Sequence, residues 1–172
     1  MTEFARIAVR SPQPFDIVGD TFSLCGLGTS FEGVIGSAVL YDSTGAVLFH
    51  LAPMHVQNNG FGFTLFDYTV FVGNATTPEG ELVVYADNPS GLDENAYVVT
   101  VPVTFGRILL GAPYGGFSTH QVVSGDTLSA LAQQNYGDAT QWPRLFTANR
   151  DRISNPDVIR VGQVLRIPLV GS

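Results

Sequence analysis

The segment HQVVSGDTLSALAQQNYG, residues 120–137, decides how the second half of the chain is read. It opens with a short β-branched run at 120–123 that suits a strand, followed by a Ser-Gly turn. Asp126 then stands where a helix begins, and its carboxylate is expected to accept the amides that a first turn leaves unpaired. Leu128, Leu131, Ala132 and Tyr136 recur at i, i+3, i+4 and i+8, which places them on one helical face. Gly137 is the residue type that tolerates a left-handed stop. Downstream, Thr140 is expected to cap a second helix, whose first turn tolerates Pro143. Trp142, Leu145 and Phe146 form its buried stripe, and Asn149 falls where that helix ends. VGQVLRIP closes the segment with a second strand. Val164 and Ile167 differ in parity there, so they share a face only if the strand is short or bulged. The order is strand–helix–helix–strand.

These residues resemble the LysM module over 120–168. VVSGDTLSALA, YGDATQW, the late Asn149, NPDVIRVGQ and the terminal LRIP all match its pieces in order and spacing. The resemblance implies a non-enzymatic binding module for glycans that contain N-acetylglucosamine, chiefly peptidoglycan and chitin, with no metal or cofactor. It also implies a groove between the loop after the first strand and the loop before the last. In this sequence the first loop supplies Gly125, Asp126, Thr127 and Leu128. The second supplies Ile153, Asn155, Pro156, Asp157, Val158 and Ile159. An acetamido group offers an amide donor, a carbonyl acceptor and a methyl, which two loop backbones and an apolar side chain such as Leu128, Val158 or Ile159 can meet. Each residue also has a plainer role: Gly125 and Pro156 as turn formers, Asp126 as a cap, Leu128 as part of the core. The loop backbones taken as a unit carry the functional expectation.

The first half has a different texture. Short β-branched and aromatic stretches at 7–9, 22–25, 33–41, 46–51, 61–72, 81–86 and 96–105 are separated by Gly, Pro, Asn and Asp. Pro12 and Pro14 stop the first stretch, and Asp42-Ser43-Thr44-Gly45 reads as a hairpin turn. In 61–72 each parity should share one face, with Phe66 and Phe71 breaking the alternation. About seven short strands with turn signals between them suggest an antiparallel sandwich. IAVRSPQPFDIVGD, the Phe31-Glu32-Gly33 step and the GFGF run at 60–63 resemble the immunoglobulin-like domain of bacterial spore-germination proteins, over roughly 5–106. That resemblance implies an immunoglobulin-like sandwich serving as a spacer or protein-interaction surface, with no defined ligand. The expected fold class is therefore multi-domain: an all-β immunoglobulin-like sandwich at 1–110, then a small α+β (βααβ) LysM domain at 120–172. Residues 111–119, GAPYGGFST, read as a linker, and Ile108, Leu109 and Leu110 just before it offer a docking strand.

Charge divides the same way. Residues 1–117 carry eleven acids and three arginines, for −8, whereas 118–172 carry four acids and five arginines, for +1. A net charge of −7 with no run of arginines makes nucleic acid a poor partner. No apolar stretch approaches the roughly 18 residues that a spanning helix needs, so the chain is not expected to cross a membrane. All eight basic residues are Arg, which removes lysine chemistry. The three histidines form no HExxH, GxSxG and P-loop patterns are missing, and Cys25 sits in the apolar run FSLCGLG as a small hydrophobe. An enzyme is the least supported class. MTEFARIAVRSPQPFDIVGD shows no basic stretch leading into an apolar one. With Met1 as the start, the expected compartment is the cytoplasm, or the cell wall after export by another route. That leaves a second functional class: a cytoplasmic adaptor of a phage-tail or injection-system assembly, or an ion-responsive protein of potassium-binding type. For the latter, DNPSGLDEN at 87–95 offers loop oxygens, though solvated turns are the plainer reading of its acids.

Overall fold

β1 (Ile7–Ser11) ends at Pro12, whose ring nitrogen has no proton to give a ladder. A computed structural model of the chain describes residues 7–30, 32–56, 62–87 and 98–171. Phe31, the Gly60-Phe61 part of the GFGF run, and 88–95 of the proposed loop lie outside them. The remaining strands of the first module are β2 (Asp16–Val18), β3 (Thr21–Ser30), β4 (Val34–Asp42), β5 (Val47–His55), β6 (Gly62–Phe71), β7 (Glu79–Ala86) and β8 (Val98–Phe105). They form two sheets, β1-β3-β6 and β2-β8-β7-β4-β5, antiparallel except where β2 runs alongside β8. Leu24, Phe66 and Val70 from the first sheet meet Ile35, Leu40, Leu82, Val84 and Val103 from the second in one core. This is the immunoglobulin-like sandwich.

Three local readings are revised. β3 runs well past Cys25 because Gly26 fits where no side chain does. A Cβ there would lie 2.1 Å from the Ala8 carbonyl oxygen and 2.6 Å from the Phe66 ring. In β6 the even positions turn inward, so Phe66 sets the pattern rather than breaking it, and Phe63 and Leu65 stand 57% and 66% exposed. Asp42 is not a solvated turn acid but is buried. Its Oδ1 accepts from the Thr44 hydroxyl, the Thr44 amide (3.0 Å) and the Ala46 amide (3.1 Å), while Oδ2 accepts from the Thr76 hydroxyl at 2.9 Å. Those bonds, the Thr44 hydroxyl's above all, hold its carboxyl well below the usual carboxylate range.

The segment read as a linker is instead built into the fold. Residues 106–110 form the short helix α1 (Gly106–Leu110) rather than a docking strand, with Leu109 and Leu110 buried. β9 (Tyr114–Gln121) then pairs antiparallel with β10 (Val164–Val170), from Gln121 opposite Val164 to Tyr114 opposite Val170. Glycine richness here serves close approach: a Cβ on Gly115 would sit 2.7 Å from the Gly171 Cα. The second module's two main helices are α2 (Leu128–Tyr136) and α3 (Trp142–Thr147), with a 3-10 turn at Ala139–Gln141 between them. Leu128, Leu131, Ala132, Leu145, Leu165 and Ile167 close its core. Leu165 and Ile167 share the inner face, which leaves Val164 outward.

The caps fall one or two residues from their expected places. Thr127, not Asp126, caps α2, its hydroxyl accepting from the Ala130 amide at 3.1 Å. Asp138, not Thr140, caps the 3-10 turn, accepting from the Thr140 amide at 2.8 Å. Asn149 is fully buried and ties α3 to β10. Its Nδ2 donates to the Leu145 and Arg166 carbonyls at 2.7 and 2.8 Å, and its Oδ1 accepts from the Arg166 amide at 2.7 Å. Arg150, next along the chain, reaches the sandwich. Its guanidinium donates to the Val103 carbonyl at 2.7 Å, pairs with Glu79, and lies 5.5 Å from the centre of the Phe15 ring.

Candidate functional site

The turn after β9 and the loop before β10 enclose a pocket of about 380 Å³. Asp126, Thr127, Leu128 and Ser129 form one wall, and Pro156, Asp157 and Ile159 form the other, with Trp142 from the start of α3 beside them. The first wall is fixed by Asp126. Its Oδ2 lies 2.7 Å from His120 Nε2 on β9 and accepts from the Val123 amide at 2.8 Å, closing the Ser-Gly turn on itself. The His120 hydrogen bond, with help from the Val123 amide, holds the Asp126 carboxyl below its usual range. Gly125 takes the positive φ of 93° at the turn and lies outside the pocket wall. The second wall is shaped by Asn155, whose Oδ1 accepts from the Asp157 amide at 3.0 Å and whose carbonyl accepts from Val158 at 3.1 Å.

The structure thus brings together Asp126, Thr127, Leu128, Pro156, Asp157 and Ile159, and separates the others. Ile153 is a core residue at 2% exposure. Asn155 and Val158 line a different pocket on the other side of the same loop, together with Ile153. Leu128 borders the groove but is 3% exposed, so Trp142, Pro156 and Ile159, each half-buried, carry most of its apolar surface. Sequence pattern alone does not mark Trp142 and Ser129 as site residues. Trp142 read as core because its spacing to Leu145 and Phe146 is helical. Its position at a helix start beside a loop was the available clue.

Chemically the groove suits a neutral polar ligand with an apolar patch. The first amides of α2 have no carbonyl one turn earlier to receive them, and they open toward this end of the helix. Thr127 and Ser129 add hydroxyls, and Asp126 and Asp157 add acceptors. Among the described residues, no group of three or more His, Cys, Asp or Glu side chains is placed to hold a metal ion. Nor is any described helix long and apolar enough to cross a membrane.

Comparison with known proteins accords with this architecture. Residues 120–168 match the LysM domain, and residues 6–92 match the immunoglobulin-like domain of bacterial spore germination. Among curated proteins, a 62-residue stretch is 42% identical to the potassium binding protein Kbp of Escherichia coli, covering 36% of this chain and 42% of that one. A 51-residue stretch is 53% identical to an esterase of Mycobacterium tuberculosis, covering 30% of this chain and 11% of the esterase. An uncharacterised protein of Deinococcus radiodurans is 43% identical over 53 residues, 31% of this chain and 20% of its own. The chain therefore spans less than half the length of each of these relatives. No solved structure matches it. Because the sandwich match alone covers just over half of the residues, the chain belongs to the family of the immunoglobulin-like domain of bacterial spore germination, and it joins that domain to a LysM domain.

Proposed function

We propose that this protein binds N-acetylglucosamine-containing glycan, of peptidoglycan or chitin type, in the groove between the two loops of its LysM domain. The observation that carries the reading is the shape of that groove: two polar loop walls with Trp142, Pro156 and Ile159 as an apolar patch. An acetamido methyl packs on that patch while the amide and carbonyl meet loop and helix-start groups. The sandwich serves as a platform and offers a protein-interaction surface. A glycan held this way gains contacts with each further sugar, so longer oligomers bind more tightly.

Trp142 is the only tryptophan in the chain, so its fluorescence reports on the groove directly. Titration of the intact chain with chitin oligomers should shift that emission, with affinity rising with length. Ile159→Asp, which charges the apolar patch, should weaken binding at least about tenfold, or ~1.4 kcal/mol. Val158→Asp, on the other side of the loop, should leave chitin binding unchanged. An emission spectrum indifferent to long oligomers of both glycans removes the reading.

A second reading draws on the relative named as a potassium binding protein. An ion-responsive protein would melt at a higher temperature in potassium than in sodium at equal ionic strength, because a ligand that binds only the native state stabilises it. Equal melting temperatures in both salts eliminate it.

A further inference from the structure

The loop that forms the groove's second wall has another face, and that face lines a separate pocket of about 240 Å³. Arg152, Ser154, Asn155, Arg160 and Gln163 supply its polar groups. Part of their hydrogen-bonding capacity is used within the chain. The Asn155 Oδ1 is taken by the Asp157 amide (3.0 Å), the Gln163 Oε1 by the Arg160 amide (3.1 Å), and the Arg152 carbonyl by the Gln163 Nε2 (2.8 Å). The side-chain oxygens of Asn155 and Gln163 are thus each engaged by a backbone amide, which leaves one lone pair on each. Among the described residues the donors left without a partner are the whole Arg160 guanidinium, the Asn155 Nδ2, and one arm of Arg152, whose other groups reach the Val164 carbonyl (2.8 Å) and Asp151 (3.4 Å). The Ser154 hydroxyl can donate as well.

Charge agrees with that inventory. Asp151 is shared between Arg152 and Arg166, the latter at 2.9 Å, and Asp157 faces the groove rather than this pocket. No described carboxylate neutralises Arg160. A guanidinium presents a planar fork of donors that fits two oxygens of one acid group.

We propose that this pocket is an oxyanion site, and that it takes a carboxylate or phosphate carried by the polymer whose sugars occupy the groove across the loop. The identity of the carrier rests on the glycan reading above; the excess of charged donors in the pocket does not. The site makes an acidic glycan the preferred ligand over a neutral one of the same length.

The test uses the intact chain and three probes of equal sugar number: chitin oligomers, peptidoglycan fragments with free peptide carboxylates, and chitin oligomers phosphorylated on a sugar hydroxyl. Wild type should bind one of the acidic probes about tenfold more tightly than chitin, and the identity of that probe separates carboxylate from phosphate. About 0.5 M salt should erase most of the margin, because charges at this exposure are screened within a few ångströms. Arg160→Gln should abolish the margin and leave chitin affinity unchanged, and Arg160→Lys should restore part of it. Equal affinities for acidic and neutral probes, or a margin that survives Arg160→Gln, overturns the site. If no glycan binds at all, the groove reading fails on its own. The pocket is then judged by amide NMR shifts of Ser154, Asn155 and Arg160 on adding inorganic phosphate. Saturating shifts in wild type that vanish in Arg160→Gln uphold it, and their absence overturns it.

Discussion

Replacing Arg150 by Leu tests whether the two modules are clamped into one cooperative unit. The side chain is 17% exposed and makes three contacts with the sandwich: the Val103 carbonyl at 2.7 Å, Glu79, and the Phe15 ring at 5.5 Å. A charged hydrogen bond that is largely shielded from water contributes roughly 1.5–3 kcal/mol. The Glu79 partner is 45% exposed, so that ion pair is screened and adds under about 1 kcal/mol. Stacking over Phe15 adds about 0.5–1 kcal/mol. Phe15 is held at a φ of 67°, a backbone conformation unusual for a bulky residue, which the hydrogen bond its N–H donates to the Pro102 carbonyl (2.6 Å) helps to maintain. Against these gains, the buried Nε of Arg150 finds no acceptor. Leucine also keeps some apolar contact. The expected loss is about 2–3 kcal/mol. Urea unfolding followed by Trp142 fluorescence, which reports the second module, and by the amide NMR signals of β4 and β7, which report the sandwich, provides the assay. The wild-type traces should coincide, and in Arg150→Leu they should separate, with the fluorescence transition moving to lower urea. A loss below about 0.5 kcal/mol, or traces that remain coincident, refutes the clamp.

Asn149→Ala removes three hydrogen bonds at a fully buried position and leaves the Arg166 amide unpaired. Thermal denaturation should show a loss of about 3 kcal/mol. Asp126 is held below its ordinary value of 3.8 first by His120, so its contribution to stability is present above that value and is lost as pH falls through the lowered one. Acid unfolding of Asp126→Asn should accordingly show a shallower limb below pH 3.8 than wild type, and superimposable limbs would contradict the assignment. Limited proteolysis should spare β9, because its backbone is paired along β10 down to Tyr114; early cleavage between Tyr114 and Gln121 would show that the strand is not held. Leu131→Ala, at 1% exposure in the second core, should cost roughly 2–5 kcal/mol in urea unfolding, yet leave the chitin affinity of the folded fraction unaltered.

Much of this protein is local, and local patterns were readable in order along the chain. The spacing of Leu128, Leu131, Ala132 and Tyr136 sets one face of α2 whatever lies opposite, because helical geometry repeats every 3.6 residues. The sandwich strands show themselves as β-branched runs between Gly, Pro and Asp, and the groove's loops follow from the order of turns around α2 and β10. What depended on partners distant in sequence was not readable. Gly115 looks like linker until Gly171 packs so close that a Cβ on Gly115 would sit 2.7 Å from the Gly171 Cα, and only then does its missing side chain become a requirement for pairing. Asp42 looks like a solvated turn acid until Thr76, thirty-four residues on, brings its hydroxyl to 2.9 Å. Asn155, Pro156, Asp157 and Val158 are neighbours in the chain, but the Asx turn at Asn155 sends Pro156 and Asp157 to the groove and leaves Asn155 and Val158 on the opposite pocket. Trp142 shows the same division within one residue. Its helical spacing assigns it to the buried stripe, yet the packing of α3 beside the second loop leaves it half-buried at the groove, because that loop is pinned by a bond from Gln163 Nε2 to the Arg152 carbonyl that helical spacing does not contain.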